Sequence, residues 1–301
     1  MPQKIAVLLS TFNGEKYIAS QLDSILKQEG NFIIDIFVRD DGSSDSTLEI
    51  IKELSEVNRC LHLREGENIG YKLSFFDLLY TVADYDFYAF CDQDDVWLST
   101  KLKASLRFLE KQNFPALYAC KKYYVNEVLK PLSIKDKSLP MNLDYGFFRG
   151  GICGCTMVWN NKLQQIIQRY RPKESFKSHD DYVRCLAIAI GASTYLDETP
   201  HILYRRHSKN ESLLPNSRLR RILVKGIKDF GSRADLKKIS LDLIRGYSDE
   251  LTTEAKSFLK QIIAKDSLNS RLSLIRSPHL KTCPPYEEYL LKTLILLRGI
   301  D

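Results

Sequence analysis

The feature of this sequence that most constrains its fold is the alternation of apolar runs with amphipathic segments over the first hundred residues. Apolar runs at 4–10, 33–38 and 87–91 predict strands, and the segments between them carry apolar residues at helical spacing. Consecutive strands that are joined through helices run parallel, and the helices cover both faces of the sheet. The alternation therefore predicts an α/β fold with a mainly parallel sheet.

Polar clusters follow three of the predicted strands directly. They read STFN at 10–13, RDDGSSD at 39–45 and DQDD at 92–95. Ligands of open parallel sheets bind beyond the carboxyl ends of the strands. The three clusters are therefore predicted to meet at one edge of the sheet and to form a site there.

The DQDD cluster offers carboxylates for a metal ion. Asp92 and Asp94, with one residue between them, can share a divalent cation, and oxygen ligands suit Mg²⁺ or Mn²⁺. Open positions on such an ion bind phosphate oxygens and stabilise a departing diphosphate. The alternative is a solvated loop in which Asp95 caps the following helix.

A second acidic pair, Asp40 and Asp41, comes directly before a glycine. Such a pair can accept hydrogen bonds from a nucleobase N–H group or from a ribose hydroxyl. The alternative is an Asx turn that leads into a helix cap.

Two later motifs add candidates for proton transfer and for charge neutralisation. Asp180 in SHDDYVR stands at a predicted helix start and can act as a general base towards a hydroxyl, or else simply cap the helix. In YRRHSKN, His207 can ligate a metal or hold a phosphate, and Arg205 or Arg206 can neutralise a diphosphate. The alternative is a basic surface turn.

Composition limits the class of protein. The chain has 301 residues, 44% of them hydrophobic, and a net charge of +6, which suits a soluble protein with an anionic ligand. No aromatic platform accompanies the basic residues, so nucleic acid is not an expected partner. The seven cysteines are irregularly spaced and without a CxxC pair, which favours reduced thiols in the cytoplasm. The amino-terminal segment does not read as a secretory signal, and no apolar stretch is long enough to span a membrane.

The order of these motifs along the chain resembles that of a known protein family. STFNGEKYI, VRDDGSSDST, ENIGYKLSF and CDQDDVW succeed one another as in glycosyltransferase family 2, which residues 1 to about 210 resemble. The resemblance implies the GT-A fold, a Rossmann-like mixed sheet with helices on both faces. DQDDVW followed by GCTM, a His–Asp pair and YRxH is most similar to bacterial rhamnosyltransferases of surface polysaccharide synthesis.

The resemblance also implies roles for particular residues. The nucleotide-sugar would contact Thr11, Asn13, Glu15, Asp40, Asp41, Asn68, Gly70, Lys72, Asp92, Arg205 and Arg206. The acceptor side would comprise Gly154, Cys155, Thr156 and His179, and the metal ligands would be Asp92, Asp94 and His207. Asp180 matches the family's general base, which usually follows Glu but follows His179 in this chain; the neighbouring Asp181 is the alternative base.

The implied activity is an inverting, metal-dependent transfer. The donor would be a nucleotide-sugar, with dTDP-L-rhamnose as the first choice, and the acceptor a hydroxyl of a glycan or lipid-linked saccharide. The alternatives are a UDP-hexose transferase of the same family and a non-catalytic nucleotide-sugar-binding protein. Nucleotidyl transfer is disfavoured because STFNGEKYI has one glycine and no basic glycine-rich loop.

The sequence predicts two regions. Residues 1–214 would form the GT-A domain, with a nucleotide-binding half at about 1–100 and an acceptor half at about 101–214, and 215–301 a helical, basic extension. Basic and apolar residues interleave over 215–240, which is typical either of a helix on an anionic membrane surface or of one packed on the catalytic domain. YLLKTLILL near the end suits a core helix or a homodimer contact. The expected location is the cytoplasm, with peripheral contact at the inner face of the plasma membrane.

Overall fold

The predicted alternation of strands and helices is confirmed in the structure, a computed structural model. It describes residues 2–136, 138, 140–144, 152–172, 176, 178–207, 235–264, 267–281, 288–289, 292–293 and 295–296. The strands are β1 (Gln3–Thr11), β2 (Phe32–Asp40), β3 (Leu61–Glu65), β4 (Phe87–Cys91), β5 (Val96–Trp97), β6 (Ala116–Val125), β7 (Met157–Asn160) and β8 (Ser193–Arg205). The helices are α1 (Ile18–Leu26), α2 (Thr47–Val57), α3 (Tyr71–Thr81), α4 (Lys101–Leu109), α5 (Asn161–Ile167), α6 (His179–Ala189), α7 (Asp235–Tyr247), α8 (Thr253–Ile263) and α9 (Leu268–Ile275).

The strands form one mixed, mainly parallel sheet in the order β3-β2-β1-β4-β7-β6-β8-β5. Strands β3, β2, β1 and β4 pair in parallel, as do β6 and β8. Strand β7 runs antiparallel to β4 and β6, and β5 runs antiparallel to β8. The starts of β5 and β7 therefore lie at the same edge as the ends of β1, β2, β4, β6 and β8.

Helices cover both faces of the sheet, as predicted. Ile5 and Val7 of β1 face the side where α1, α2 and α4 pack, and Ala6 and Leu8 face the side of α3, α5 and α6. A parallel strand that is covered on both faces is a continuous apolar run rather than an alternating one. That accounts for the unbroken apolar sequence of β1.

The C-terminal helices pack onto the second of these faces. Tyr247 of α7 and Phe258 of α8 are buried in the same apolar cluster as Leu8 of β1. The part of the extension that the structure describes is therefore joined to the sheet by a shared core.

Three tyrosine hydroxyls link this extension to the rest of the fold. The hydroxyls of Tyr80 of α3, Tyr182 of α6 and Tyr247 of α7 all lie within hydrogen-bonding distance of the carbonyl oxygen of Tyr170, at 2.7, 3.0 and 2.8 Å. The contact fixes α7 beside α3 and α6.

Several predictions fall outside the described residues. The interleaved segment lies there from 215 to 234, as does the boundary at 214, so membrane contact and the division into two regions stay predictions. The homodimer contact stays a prediction as well. Among the helices that the structure describes, none combines the length and the apolar character of a membrane span.

Candidate active site

A cavity of about 940 Å³ opens at the edge where the strand ends meet. Its volume is in the upper part of the range of roughly 300–1,000 Å³ that is usual for small-molecule sites. Of the residues predicted from the sequence, its lining contains Thr11, Asn13, Asp41, Asn68, Gly70, Asp92, Asp94, Gly154, His179, Asp180 and His207. The remaining predicted residues, Glu15, Asp40, Lys72, Cys155, Thr156, Asp181, Arg205 and Arg206, are not part of the lining.

Gln93, which sequence reasoning did not single out, joins the DQDD loop to the end of β1. Its Oε1 accepts from Thr11 Oγ1 at 2.6 Å and from the Phe12 amide at 2.9 Å, and its Nε2 donates to the Phe12 carbonyl at 3.1 Å. A Cβ atom at Gly14 would lie 2.4 Å from Gln93 Oε1, so the glycine makes room for this contact. The sequence could have pointed to Gln93, because this residue lies between the two predicted metal ligands, Asp92 and Asp94.

The two aspartates at the end of β2 have different roles. Asp40 Oδ1 accepts from the amides of Gly42 and Ser43 at 3.1 and 2.8 Å, which is the Asx turn considered as the alternative. Asp41 lines the cavity and accepts from the Ile69 and Gly70 amides at 2.9 and 2.8 Å. Asp41 therefore holds the ENIG loop beside the cavity.

Asn13 and Glu15 both fasten the loop after β1 to the start of α2. Asn13 Oδ1 accepts from the Ser44 amide at 2.8 Å, and Glu15 Oε2 accepts from the Ser46 amide at 3.0 Å. Asn13 still faces the cavity, whereas Glu15 is exposed outside it. Glu15 therefore supports the loop from outside the cavity.

The DQDD carboxylates occupy different environments. Asp94 Oδ2 lies 2.7 Å from Nε2 of His207, and both side chains line the cavity. Asp95 is fully buried and accepts from the Arg205 amide at 3.0 Å, so it does not cap α4. Burial, with the charges of Asp94 and Asp180, raises the pKa of the Asp92 carboxyl to about 7.

These donors fit a hard divalent cation. Asp92 and Asp94 present carboxylate oxygens to the cavity, and His207 stands beside them. Burial raises the pKa of Asp92 first, and the charges of Asp94 and Asp180 raise it further; a bound cation would offset that repulsion. Asp92 also lies within 4.8 Å of both Asp95 and Cys155, measured between possible ligand atoms, but the latter two are buried outside the lining. The cavity-facing set suits Mg²⁺ or Mn²⁺.

Neither arginine of YRRH is part of the cavity lining. Arg205 is buried, donates from Nε to the Asp94 carbonyl at 2.7 Å, and lies 4.6 Å from the ring centroid of Tyr17. It therefore fixes the backbone of the DQDD loop. Of the lysines and arginines that the structure describes, Lys16 alone lines the cavity.

Asp180 lines the cavity at the start of α6. Its Oδ2 accepts from the Gly154 amide at 2.9 Å, and its Oδ1 accepts from the Asp181 amide at 2.8 Å. Asp181 instead pairs with the buried Arg184 and does not reach the lining. Of the two candidate bases, the geometry favours Asp180.

The 3₁₀ turn before β7 (Gly154–Thr156) reaches the cavity through its glycine. Cys155 and Thr156 are buried, and Thr156 Oγ1 donates to the Cys153 carbonyl at 2.7 Å. Their side chains thus stabilise the turn, and Gly154 presents its amide to Asp180.

We expect Gly154→Ala to lower kcat by about 100-fold, the loss that a misplacement of about 1 Å can cause. The added Cβ atom would lie 2.6 Å from His179 Nε2 and 3.3 Å from Asp180 Cβ, so the start of α6 must move. Steady-state kinetics of the variant measures the effect. The matched control is Gly246→Ala, where the Cβ atom would lie 2.3 Å from Tyr170 outside the cavity, which should lower Tm without affecting kcat. A wild-type kcat in Gly154→Ala would contradict the placement of Gly154 against His179 and Asp180 at the cavity.

The fold defines the class of protein. Among solved structures, S. aureus TarS in complex with UDP-GlcNAc is similar with a TM-score of 0.61 and 17% identity, over 99% of this chain and 82% of that one. The mannosyltransferase PcManGT from Pyrobaculum calidifontis, in complex with GDP-Man and Mn²⁺, has a TM-score of 0.50 and 13% identity, over 100% and 89%. The fold is that of the GT-A glycosyltransferases.

Sequence comparison identifies the family. The profile described as "Glycosyl transferase family 2" matches residues 6–169. The dTDP-rhamnosyl transferase RfbG of Shigella flexneri is 31% identical over 215 residues, which are 67% of this chain and 73% of that protein. The chain belongs to glycosyl transferase family 2, and the resemblance read from its motifs is confirmed.

Proposed function

We propose that this glycosyltransferase moves L-rhamnose from dTDP-L-rhamnose to a hydroxyl of a glycan or lipid-linked saccharide in bacterial surface polysaccharide synthesis, with inversion at the anomeric carbon. One observation carries the proposal: a single cavity is lined both by Asp92 and Asp94 and by Asp180. The similarity to a dTDP-rhamnosyl transferase supports rhamnose as the transferred sugar.

The donor would bind along the nucleotide-binding half. Asp41, Asn68 and Gly70 line the part of the cavity that follows β2 and β3, and would contact the nucleoside. Asp92 and Asp94, with His207, would hold Mg²⁺ or Mn²⁺ at the diphosphate. Such an ion would offset the negative charge that develops on the leaving group.

Asp180 would act as the general base. Its carboxylate accepts the proton of the acceptor hydroxyl while the oxygen of that hydroxyl bonds to the anomeric carbon. The bond from this carbon to the diphosphate oxygen breaks on the opposite face. A single displacement of this kind inverts the anomeric configuration, through a transition state with oxocarbenium character. Hydrogen bonds from Gly154 and Asp181 orient the carboxylate.

A thermal-shift panel with dTDP, UDP, GDP and CDP, each with and without Mn²⁺, tests the donor. Ligands that bind only the native state raise its apparent stability, so we expect the largest Mn²⁺-dependent rise in Tm with dTDP. A rise with UDP alone would favour a UDP-hexose transferase of the same family. No rise with any nucleotide would contradict the proposed donor site. Transfer from dTDP-L-rhamnose, or its hydrolysis, would exclude a non-catalytic binding protein.

A further inference from the structure

Lys16 and Glu127 form an ion pair whose two partners both line the cavity. Lys16 lies in the loop between β1 and α1, and Glu127 follows β6, 111 residues further along the chain. Lys16 Nζ is 2.5 Å from Glu127 Oε2, and the two side chains are 62% and 45% exposed. Ion pairs between exposed side chains contribute little to stability, so this pair can separate at low cost.

The ring of Tyr17 connects the ion pair to the candidate metal ligands. Its centroid lies 5.1 Å from Lys16 Nζ and also 5.1 Å from the ring centroid of His207, on which Tyr17 stacks. His207 Nε2 in turn lies 2.7 Å from Asp94 Oδ2. The ammonium group of Lys16 therefore stands one aromatic ring away from the place where the metal ion and the diphosphate are proposed to bind.

The charge of the cavity lining gives this ammonium group its importance. The lining residues that the structure describes include five with carboxyl groups, namely Asp41, Asp92, Asp94, Glu127 and Asp180. Asp41 is paired with Arg39, but Lys16 is the single lysine or arginine among the described residues of the lining. A nucleoside diphosphate brings further negative charge into this acidic cavity. Within the described residues, its counter-charge therefore comes from a bound cation and from Lys16.

Arg205, which the sequence suggested for this task, is engaged with the backbone. Its Nε donates to the Asp94 carbonyl at 2.7 Å, and its Nη1 donates to the Glu127 carbonyl at 2.5 Å. Arg205 thus holds the main chain of Glu127, while the side chain of Glu127 is exposed and pairs with Lys16. A lysine has a flexible four-carbon stem and three N–H donors, so its Nζ can move between neighbouring acceptors.

We propose that Lys16 binds the diphosphate of the donor and that Glu127 holds Lys16 until the donor displaces it, an inference that rests on the proposed function. In the exchange, the ammonium group gives up a carboxylate oxygen and gains a phosphate oxygen. The carboxylate of Glu127 is exposed and is then solvated by water. The hydrogen bond with Glu127 raises the pKa of Lys16, so the side chain is a cation near pH 7.

Calorimetric titration with dTDP in Mn²⁺ tests the binding role of Lys16. Lys16→Gln removes the charge and keeps a polar side chain. It should bind dTDP about 10-fold more weakly, because hydrogen bonds between charged groups are the stronger ones. Lys16→Arg keeps a cation of similar length and should recover most of the lost affinity.

Glu127→Gln separates the proposed exchange from a contact that only supports the loops. If Glu127 competes with the diphosphate for Lys16, its loss should tighten dTDP binding by about 3-fold, which is within the range that an exposed ion pair contributes. A supporting contact predicts the opposite, because both Lys16→Gln and Glu127→Gln would then weaken binding. In the double variant the gain should be smaller than in Glu127→Gln alone, because the competition acts through Lys16.

The matched control is Lys27→Gln, because Lys27 is also an exposed lysine in an ion pair, with Asp23 at 2.7 Å, but lies outside the cavity lining. It should bind dTDP as the wild type does. Wild-type affinity in Lys16→Gln, or equal weakening in Lys16→Gln and Glu127→Gln, would overturn the exchange and leave the proposed donor intact. A wild-type protein that binds none of the nucleotides would instead contradict the proposed function, and this inference with it.

Discussion

Asp180→Asn is expected to lower kcat by about 10²–10⁴-fold, the usual loss when a well-placed general base is removed. The amide has the shape of the carboxylate but cannot take the acceptor proton. Asp180 lines the cavity and is oriented by the amides of Gly154 and Asp181, so the change acts at the reacting groups. Transfer from dTDP-L-rhamnose under single-turnover conditions measures the chemical step, and calorimetry with dTDP checks that donor binding is retained.

Asp181→Asn is the matched control for this experiment. Asp181 pairs with Arg184, whose side chain is buried, and does not reach the cavity. Loss of its charge should lower Tm, because a buried guanidinium loses its partner, and should leave kcat near the wild-type value. The reverse ranking, with a large loss of kcat in Asp181→Asn and little in Asp180→Asn, would assign the base to Asp181.

Asp94→Asn is expected to weaken Mn²⁺-dependent binding of dTDP by at least the ~10–100-fold that loss of a ligand's supporting partner costs at a metal site. The substitution removes one of the two carboxylates of the DQDD loop that face the cavity and disturbs the contact with His207. Calorimetric titration with dTDP, in Mn²⁺ and again in EDTA, isolates the metal-dependent part of the affinity.

The control for Asp94→Asn is Asp23→Asn, which removes an exposed carboxylate that pairs with Lys27 on the surface of α1. It should leave both titrations unchanged. Wild-type affinity of Asp94→Asn for dTDP in Mn²⁺ would exclude Asp94 as a metal ligand.

The sequence was sufficient to predict which edge of the sheet carries the site. Apolar strands that end in STFN, RDDG and DQDD must deliver these polar groups to one edge, because β1, β2 and β4 run parallel. The local sequence pattern could not show, however, which of Asp40 and Asp41 faces the cavity. Adjacent residues at a strand end point in different directions, and only the backbone of the following turn decides that Asp41 faces the cavity.

The contacts of Arg205 show what local pattern cannot supply. The partners of its side chain are the carbonyls of Asp94 and Glu127, which are 111 and 78 residues away in the sequence. A basic residue beside a predicted phosphate site suggests a ligand contact until these distant partners are known.

The hydroxyls of Tyr80, Tyr182 and Tyr247, which stand on α3, α6 and α7, all lie within 3.0 Å of the carbonyl oxygen of Tyr170. This shared acceptor has a consequence for recombination between related enzymes. A crossover that falls between α6 and α7 separates hydroxyls that were matched to one oxygen, and it cuts through a common core. The C-terminal helices therefore form one packing unit with α6, which carries the proposed base, and we expect hybrids designed to change acceptor preference to fold only when both are exchanged together.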